Sequence, residues 1–151
     1  MDLKEKIDEF YKNSIREKDS NSINTLRLIR SAIKDKEISF RGKNEEINDN
    51  IILTLLQSLI KQRKDSIDAF SKANRSDLVE KEKNELKVIQ QFLPDQKNEV
   101  ETKEIIEKII QNDKLNSMKD MGKLINKVKD EYAGQIDMGV AVKIAKSSLG
   151  N

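Results

Sequence analysis

Apolar residues recur three and four positions apart along nearly the whole chain, the spacing that gathers them on one side of an α-helix. Leu3, Ile7, Phe10 and Tyr11 form the first such stripe, and Asp2 with Glu5 gives it a capping-box-like start, which predicts a helix from about Asp2 to Lys18. A second helix opens near Ser20 or Ser22, turns Ile23, Leu26, Ile29 and Ile33 inward, and stops near Arg41-Gly42. The polar stretch "GKNEEINDN" then reads as a loop. A third helix, Asp49 to Lys72, begins with "IILTLLQSLI", which is apolar almost all round. Such a segment is expected to be central, touched by neighbours on several sides. Its second half reverts to a stripe through Ile67 and Phe70, with Ala69 at the edge. Asp77 and Glu80 are expected to cap a fourth helix carrying Leu78, Leu86, Ile89, Phe92 and Leu93. Pro94 ends it, because proline disfavours helical geometry in the residue before it.

The segment "PDQKNEVE" is the natural boundary, dividing the chain into 1–94 and 95–151. Beyond it, Ile105, Ile106, Ile109 and Ile110 predict a helix from about Val100 to Asn112. Ser117 with Asp120 is expected to cap another, to about Tyr132, with Met118, Met121, Ile125, Val128 and Tyr132 as its buried stripe and Leu124 beside them. Asp137 caps the last, to about Leu149. The expected fold is all-α, a four-helix N-terminal unit followed by a smaller three-helix C-terminal unit. Gly134 and Gly150 each fall where a helix should end in a left-handed residue. Gly122 and Gly139 lie in first turns beside Asp120 and Asp137, whose carboxylates would repel a bound anion, so these glycines make no phosphate cradle.

Composition agrees with helices. Charged residues make up 37% of the chain and aromatics 4%, which suits wide solvated helix faces rather than the β-branched and aromatic strands of a sandwich or barrel. The 151 residues allow one domain or two small helical ones, large enough to bury about two-thirds of the unfolded surface without a staple. With no cysteine and no histidine, neither a disulfide nor serine–histidine or cysteine–histidine nucleophilic machinery can be built. No cofactor or metal is implied. The paired acids Glu45-Glu46 and Asp130-Glu131 sit in polar contexts, and Ser147 and Ser148 close a fraying helix end. Independent catalysis is therefore not expected. Apolar runs are far shorter than the ~20 residues that span a bilayer, and the N-terminal "MDLKEKIDEF" is acidic rather than leader-like. These features predict a cytoplasmic location and no membrane partner; they set no oligomeric state.

The formal charge of +2 does not itself predict a polyanion partner, so only local clustering counts. Lys119, Lys123 and Lys127 follow at i, i+4 and i+8 and are expected to project from one outward face. Lys143 and Lys146 stand opposite Ala141, Val142 and Ala145 on the last helix. These five lysines are either solvated charge or a phosphate-contacting face. Arg27, Arg30 and Lys34, at i, i+3 and i+7, serve either ion pairs with neighbouring helices or a ligand. In "KQRKDSID", Lys61 can pair with Asp65 and Lys64 with Asp68, leaving Arg63 and Arg75 freer. The six aromatics mostly occupy apolar stripes, so no platform for stacking single-stranded bases is predicted. Any RNA would be engaged through its shape and backbone.

The segments "NTLRLIRSAIKDKE", "RGKNEE", "KQRKDSIDAFSKANRSDLVEKEKNELKVIQQFLP" and "DMGKLINKVKDEYAG" resemble the YqeY family in order and spacing, over essentially the whole chain. The run from Lys61 to Pro94 is the most specific, and Asn24 departs from the family's usual serine. The last three helices also resemble the tail domain of GatB, the B subunit of the tRNA-dependent amidotransferase. The resemblance implies a helical N-terminal domain joined to a smaller helical domain, and a tail that helps engage tRNA while other domains hold the catalysis. It also carries an association with glutamine-dependent carbon–nitrogen ligases, for which this chain supplies no glutaminase or kinase chemistry. The expected function is a non-catalytic accessory protein contacting tRNA through Lys119, Lys123, Lys127, Lys143 and Lys146, with Arg27, Arg30 and Lys34 as further contacts. The alternatives are a protein-interaction module with an apolar patch around Val140, Ile144 and Leu149, or a participant in amidotransfer beside other subunits. The expected partners are accordingly tRNA or an aminoacyl-tRNA or amidotransferase-type protein.

Overall fold

Asp2 opens the first helix by accepting the Glu5 amide at 2.8 Å, and α1 runs Leu3–Glu17 before Lys18 closes it in the left-handed region at φ 58°. Asp19 then accepts the Ser22 amide and starts α2, Ser20–Ser39. Asn48 caps α3, Asp49–Lys72, and α4 follows as Ser76–Gln90. Downstream lie α5 (Glu99–Asn112), α6 (Met121–Glu131) and α7 (Met138–Leu149). The computed structural model describes residues 2–150, and among them no strand forms, so the fold is all-α. Two compact units result, Met1–Leu93 and Pro94–Asn151.

In the first unit α3 contacts α1, α2 and α4, as its nearly all-apolar first half requires. Ile7, Leu26, Ile29, Ile52, Leu56 and Ile89 are fully buried at its centre. Each such side chain contributes roughly 1.5–3 kcal/mol of burial free energy. The starts of α1 and α3 are joined where the Leu3 amide donates to Asp49 Oδ1 at 3.1 Å. Phe10 departs from its predicted place in the core. It is exposed at the surface and meets Phe92 edge-on, with ring centroids 5.1 Å apart. The α4 start also differs from expectation, since Asp77 makes no cap and instead receives Arg75 Nε and Nη2 at 3.2 and 3.1 Å. That bidentate pair closes the α3–α4 turn.

In the second unit the segment after Pro94 is stitched to the turn before α7. The Lys97 amide donates to the Gln135 carbonyl at 2.7 Å, and Gln96 Nε2 reaches the Gly134 carbonyl at 2.6 Å. Asn98 and Glu101 then form a reciprocal capping box at the start of α5. Helices α5, α6 and α7 pack on one another around Ile106, Leu124, Val128 and Ile136, with Ala141 and Ala145 letting α7 approach closely.

The single helix expected over 117–132 is broken into a 3₁₀ turn, Met118–Asp120, followed by α6. Ser117 makes no cap, and the Asp120 carboxylate turns back to accept the Asn116 amide at 3.0 Å. A 3₁₀ turn advances three residues per turn rather than 3.6, so the phase of the buried stripe is reset. Leu124 and Val128 become its centre at 0% exposure, while Met118 is 46% exposed. Gly134 adopts the predicted left-handed conformation, φ 73°. Gly150 does not: its φ is −82°, and it is a steric glycine, because a Cβ there would lie 2.6 Å from the Lys146 carbonyl oxygen. Among the described residues no helix is long and apolar enough to cross a membrane.

Candidate nucleic-acid interface

On the second unit Lys119, Lys123, Lys143 and Lys146 are exposed, and no carboxylate pairs with any of them among the described residues. Lys127 departs from this set. Its Nζ donates to both carboxylate oxygens of Asp113 at 2.9 Å, and that hydrogen bond, with the negative charge behind it, raises the ammonium's pKa. Because α6 begins only at Met121, Leu124 and Val128 fix its inner face and Lys127 lies at the border, beside the residue that ends α5. The exposed side of α6 carries Lys123, Asn126 and Lys129 instead. Lys129 escaped the sequence pattern, which counted i+4 steps from Lys119 through a segment that is not α-helical. On α7, Lys143 and Lys146 stand away from buried Ala141, Ala145 and Leu149. The apolar patch expected around Val140, Ile144 and Leu149 does not form, since Leu149 is buried and Ile144 packs against the core. The α7 start is capped by Asp137, which accepts the Gly139 and Val140 amides.

The cations of α2 have separate fates. Arg30 Nε donates to Asp8 Oδ1 at 3.0 Å, and its guanidinium lies 4.3 Å over the Tyr11 ring. Arg27 Nε donates to the Tyr11 hydroxyl oxygen at 3.2 Å. That bond, followed by the two positive charges, lowers the Tyr11 pKa. Lys34 is exposed and pairs with no carboxylate among the described residues. All three line one groove between α1 and α2.

Arg63 and Arg75 are not free. Arg63, its side chain only 12% exposed, directs Nε to Glu85 at 3.3 Å and to Glu82 at 4.0 Å, tying α3 to α4. Arg75 is held by Asp77. The expected pairs Lys61–Asp65 and Lys64–Asp68 do not form among the described residues. The most diagnostic stretch of the sequence thus supplies the staple between two helices. Among the described residues no acidic side chains cluster as metal ligands.

These elements run in the order expected of the resemblance, and residues 4–149 match the model of the family described as Yqey-like protein. The chain belongs to the YqeY family. This YqeY protein is also similar to curated yeast proteins called "Altered inheritance of mitochondria protein 41, mitochondrial". It is 45% identical to the Lachancea thermotolerans protein over 76 residues, covering 50% of this chain and 40% of that one. Identity to the Kluyveromyces lactis protein is 40% over 81 residues, 54% of this chain and 43% of the relative. The Saccharomyces cerevisiae YJM789 protein is 38% identical over 76 residues, with 50% and 40% covered. The match therefore spans about two-fifths of these relatives' length. Their names overturn the cytoplasmic expectation, because the relatives are called mitochondrial. That expectation rested on the short apolar runs and on the acidic character of the first ten residues.

Proposed function

We propose that this YqeY protein is a non-catalytic accessory protein that engages tRNA through the backbone, using Lys119, Lys123, Lys143 and Lys146 of its C-terminal unit. The observation that carries this reading is that these four lysines stay exposed and unpaired while Lys127 beside them is neutralised. Unpaired surface ammonium groups are the groups that displace counterions from phosphates. The resemblance of the last three helices to the GatB tail supports tRNA as the RNA class, and supports association with an amidotransferase-type partner that brings its own catalysis. Sparse aromatics, three of the six packed against the two cores, favour contact with a folded RNA's backbone over base stacking.

Filter binding of tRNA across a salt series tests this. Four phosphate contacts give a log–log slope of about −3.6, using about 0.9 per phosphate for a duplex. Charge reversal in Lys123→Glu/Lys143→Glu should abolish most of the salt-dependent binding. Salt-insensitive binding, or affinity unchanged in that double variant, excludes this surface.

A further inference from the structure

The groove between α1 and α2 has a volume of about 570 Å³, within the range of small-ligand sites, and it opens to solvent on the N-terminal unit. Four cations line it, Lys4, Arg27, Arg30 and Lys34, against two carboxylates, Asp8 and Glu37. Lys4 is consumed by Glu37 and Arg30 by Asp8. Arg27 and Lys34 have no such partner among the described residues, which leaves the groove with two uncompensated positive charges. Arg27 is also pre-oriented. Its Nε is spent on the Tyr11 hydroxyl, and Tyr11 is in turn held under Arg30, so the plane of the Arg27 guanidinium is set and its two terminal nitrogens stay available. Ser31 lines the same groove, four residues after Arg27 and three before Lys34 on α2.

We infer that this groove binds the terminal phosphoryl group of a phosphomonoester, with the Arg27 fork, the Lys34 ammonium and the Ser31 hydroxyl as donors. Charge and stoichiometry select that class. A phosphomonoester carries about −1.5 to −2 near neutral pH and three terminal oxygens, matching two free cations and three kinds of donor. A carboxylate offers one charge and two oxygens, and would leave one cation uncompensated. A backbone phosphodiester has the same shortfall. A fixed arginine fork adds bidentate geometry that a lysine cluster lacks. The ligand is either a free small phosphomonoester or the phosphorylated end of a nucleic-acid strand. The site is on α1 and α2 and does not depend on the C-terminal lysines.

The test is an amide NMR titration of the full chain at constant ionic strength. Its probes are inorganic phosphate, a nucleoside 5′-monophosphate, and one oligonucleotide with and without a 5′-phosphate. The amides of Arg27, Ser31 and Lys34 should shift saturably, and Arg27→Gln and Lys34→Gln should each weaken binding by about tenfold, or about 1.4 kcal/mol. Lys83→Gln, at an exposed lysine of α4 outside both surfaces, should leave it unchanged. Saturation by the mononucleotide assigns a free ligand, and saturation only by the 5′-phosphorylated strand assigns a strand end; both support the site. Shifts that never saturate, or saturable binding untouched by both groove substitutions in variants whose circular dichroism is native, overturn it.

Discussion

The Lys127 ammonium grips both oxygens of Asp113 at 2.9 Å, and one member of the expected lysine face is thereby turned into a brace between α6 and the end of α5. Asp113→Asn removes that partner. On the proposed tRNA surface, it should tighten binding and steepen the log–log salt slope by about 0.9, as a freed lysine finds a phosphate. Lys127→Gln should change affinity less than Lys123→Gln does. Filter binding of the three variants in one salt series distinguishes these outcomes.

The same pair has a pH signature. Asp113 raises the Lys127 pKa above its ordinary 10.5, so its stabilisation is complete below that value and is lost as pH rises through the folded-state pKa. Thermal melts of the wild type and Asp113→Asn should therefore differ at neutral pH and converge in strong alkali. A difference that persists there would assign the Asp113 effect to something other than this ion pair.

At the other end of the scale, the Asp19 carboxyl is held below its ordinary 3.8, first by the Ser22 hydroxyl and then by the Ser22 amide. A depressed carboxylate stabilises the fold above its unfolded value and loses that contribution as pH falls through the folded one. Ser22→Ala should raise the Asp19 pKa measured by carboxyl NMR. The α2 amide protection it controls should also begin to fall at a higher pH than in the wild type.

Arg63 reaches two glutamates from a side chain that is only 12% exposed. Arg63→Met keeps much of the packing volume but leaves Glu82 and Glu85 without their cation. The expected cost is about 1–3 kcal/mol of stability, read as a lower urea midpoint with an unchanged m-value. A double-mutant cycle with Glu85→Gln isolates the direct coupling.

Leu124 is fully buried at the centre of the second core, and Leu56 in the first. Alanine at either site should cost about 2–5 kcal/mol. Hydrogen exchange then separates the two: Leu124→Ala should lower protection across α5, α6 and α7, and Leu56→Ala across α1 to α4.

Much of the helix layout was legible because local rules act alone there. Asp2 and Asp137 cap the helices they precede, since a side-chain oxygen needs to reach only two or three residues along the backbone. The Asp49–Lys72 helix has the limits its apolar pattern predicts. Misreadings arise where a neighbouring group outside the helix competes for the capping carboxylate. Asp77 was free to cap α4 in sequence but is captured by Arg75, and Asp120 faces back to Asn116. Neither competitor is visible in a periodicity.

The candidate sites follow the same division. Sequence alone determined the all-α class, the apolar stripes, the lack of cysteine and histidine and the presence of two basic clusters, because these depend on residue type and short spacing. Only the tertiary structure decided which cations are spent. Lys127, Arg30 and Arg63 meet carboxylates 14, 22 and 22 residues away, contacts set by how helices pack rather than by neighbours in the chain. Charge is a property of the sequence; whether that charge is free for a ligand is a property of the fold.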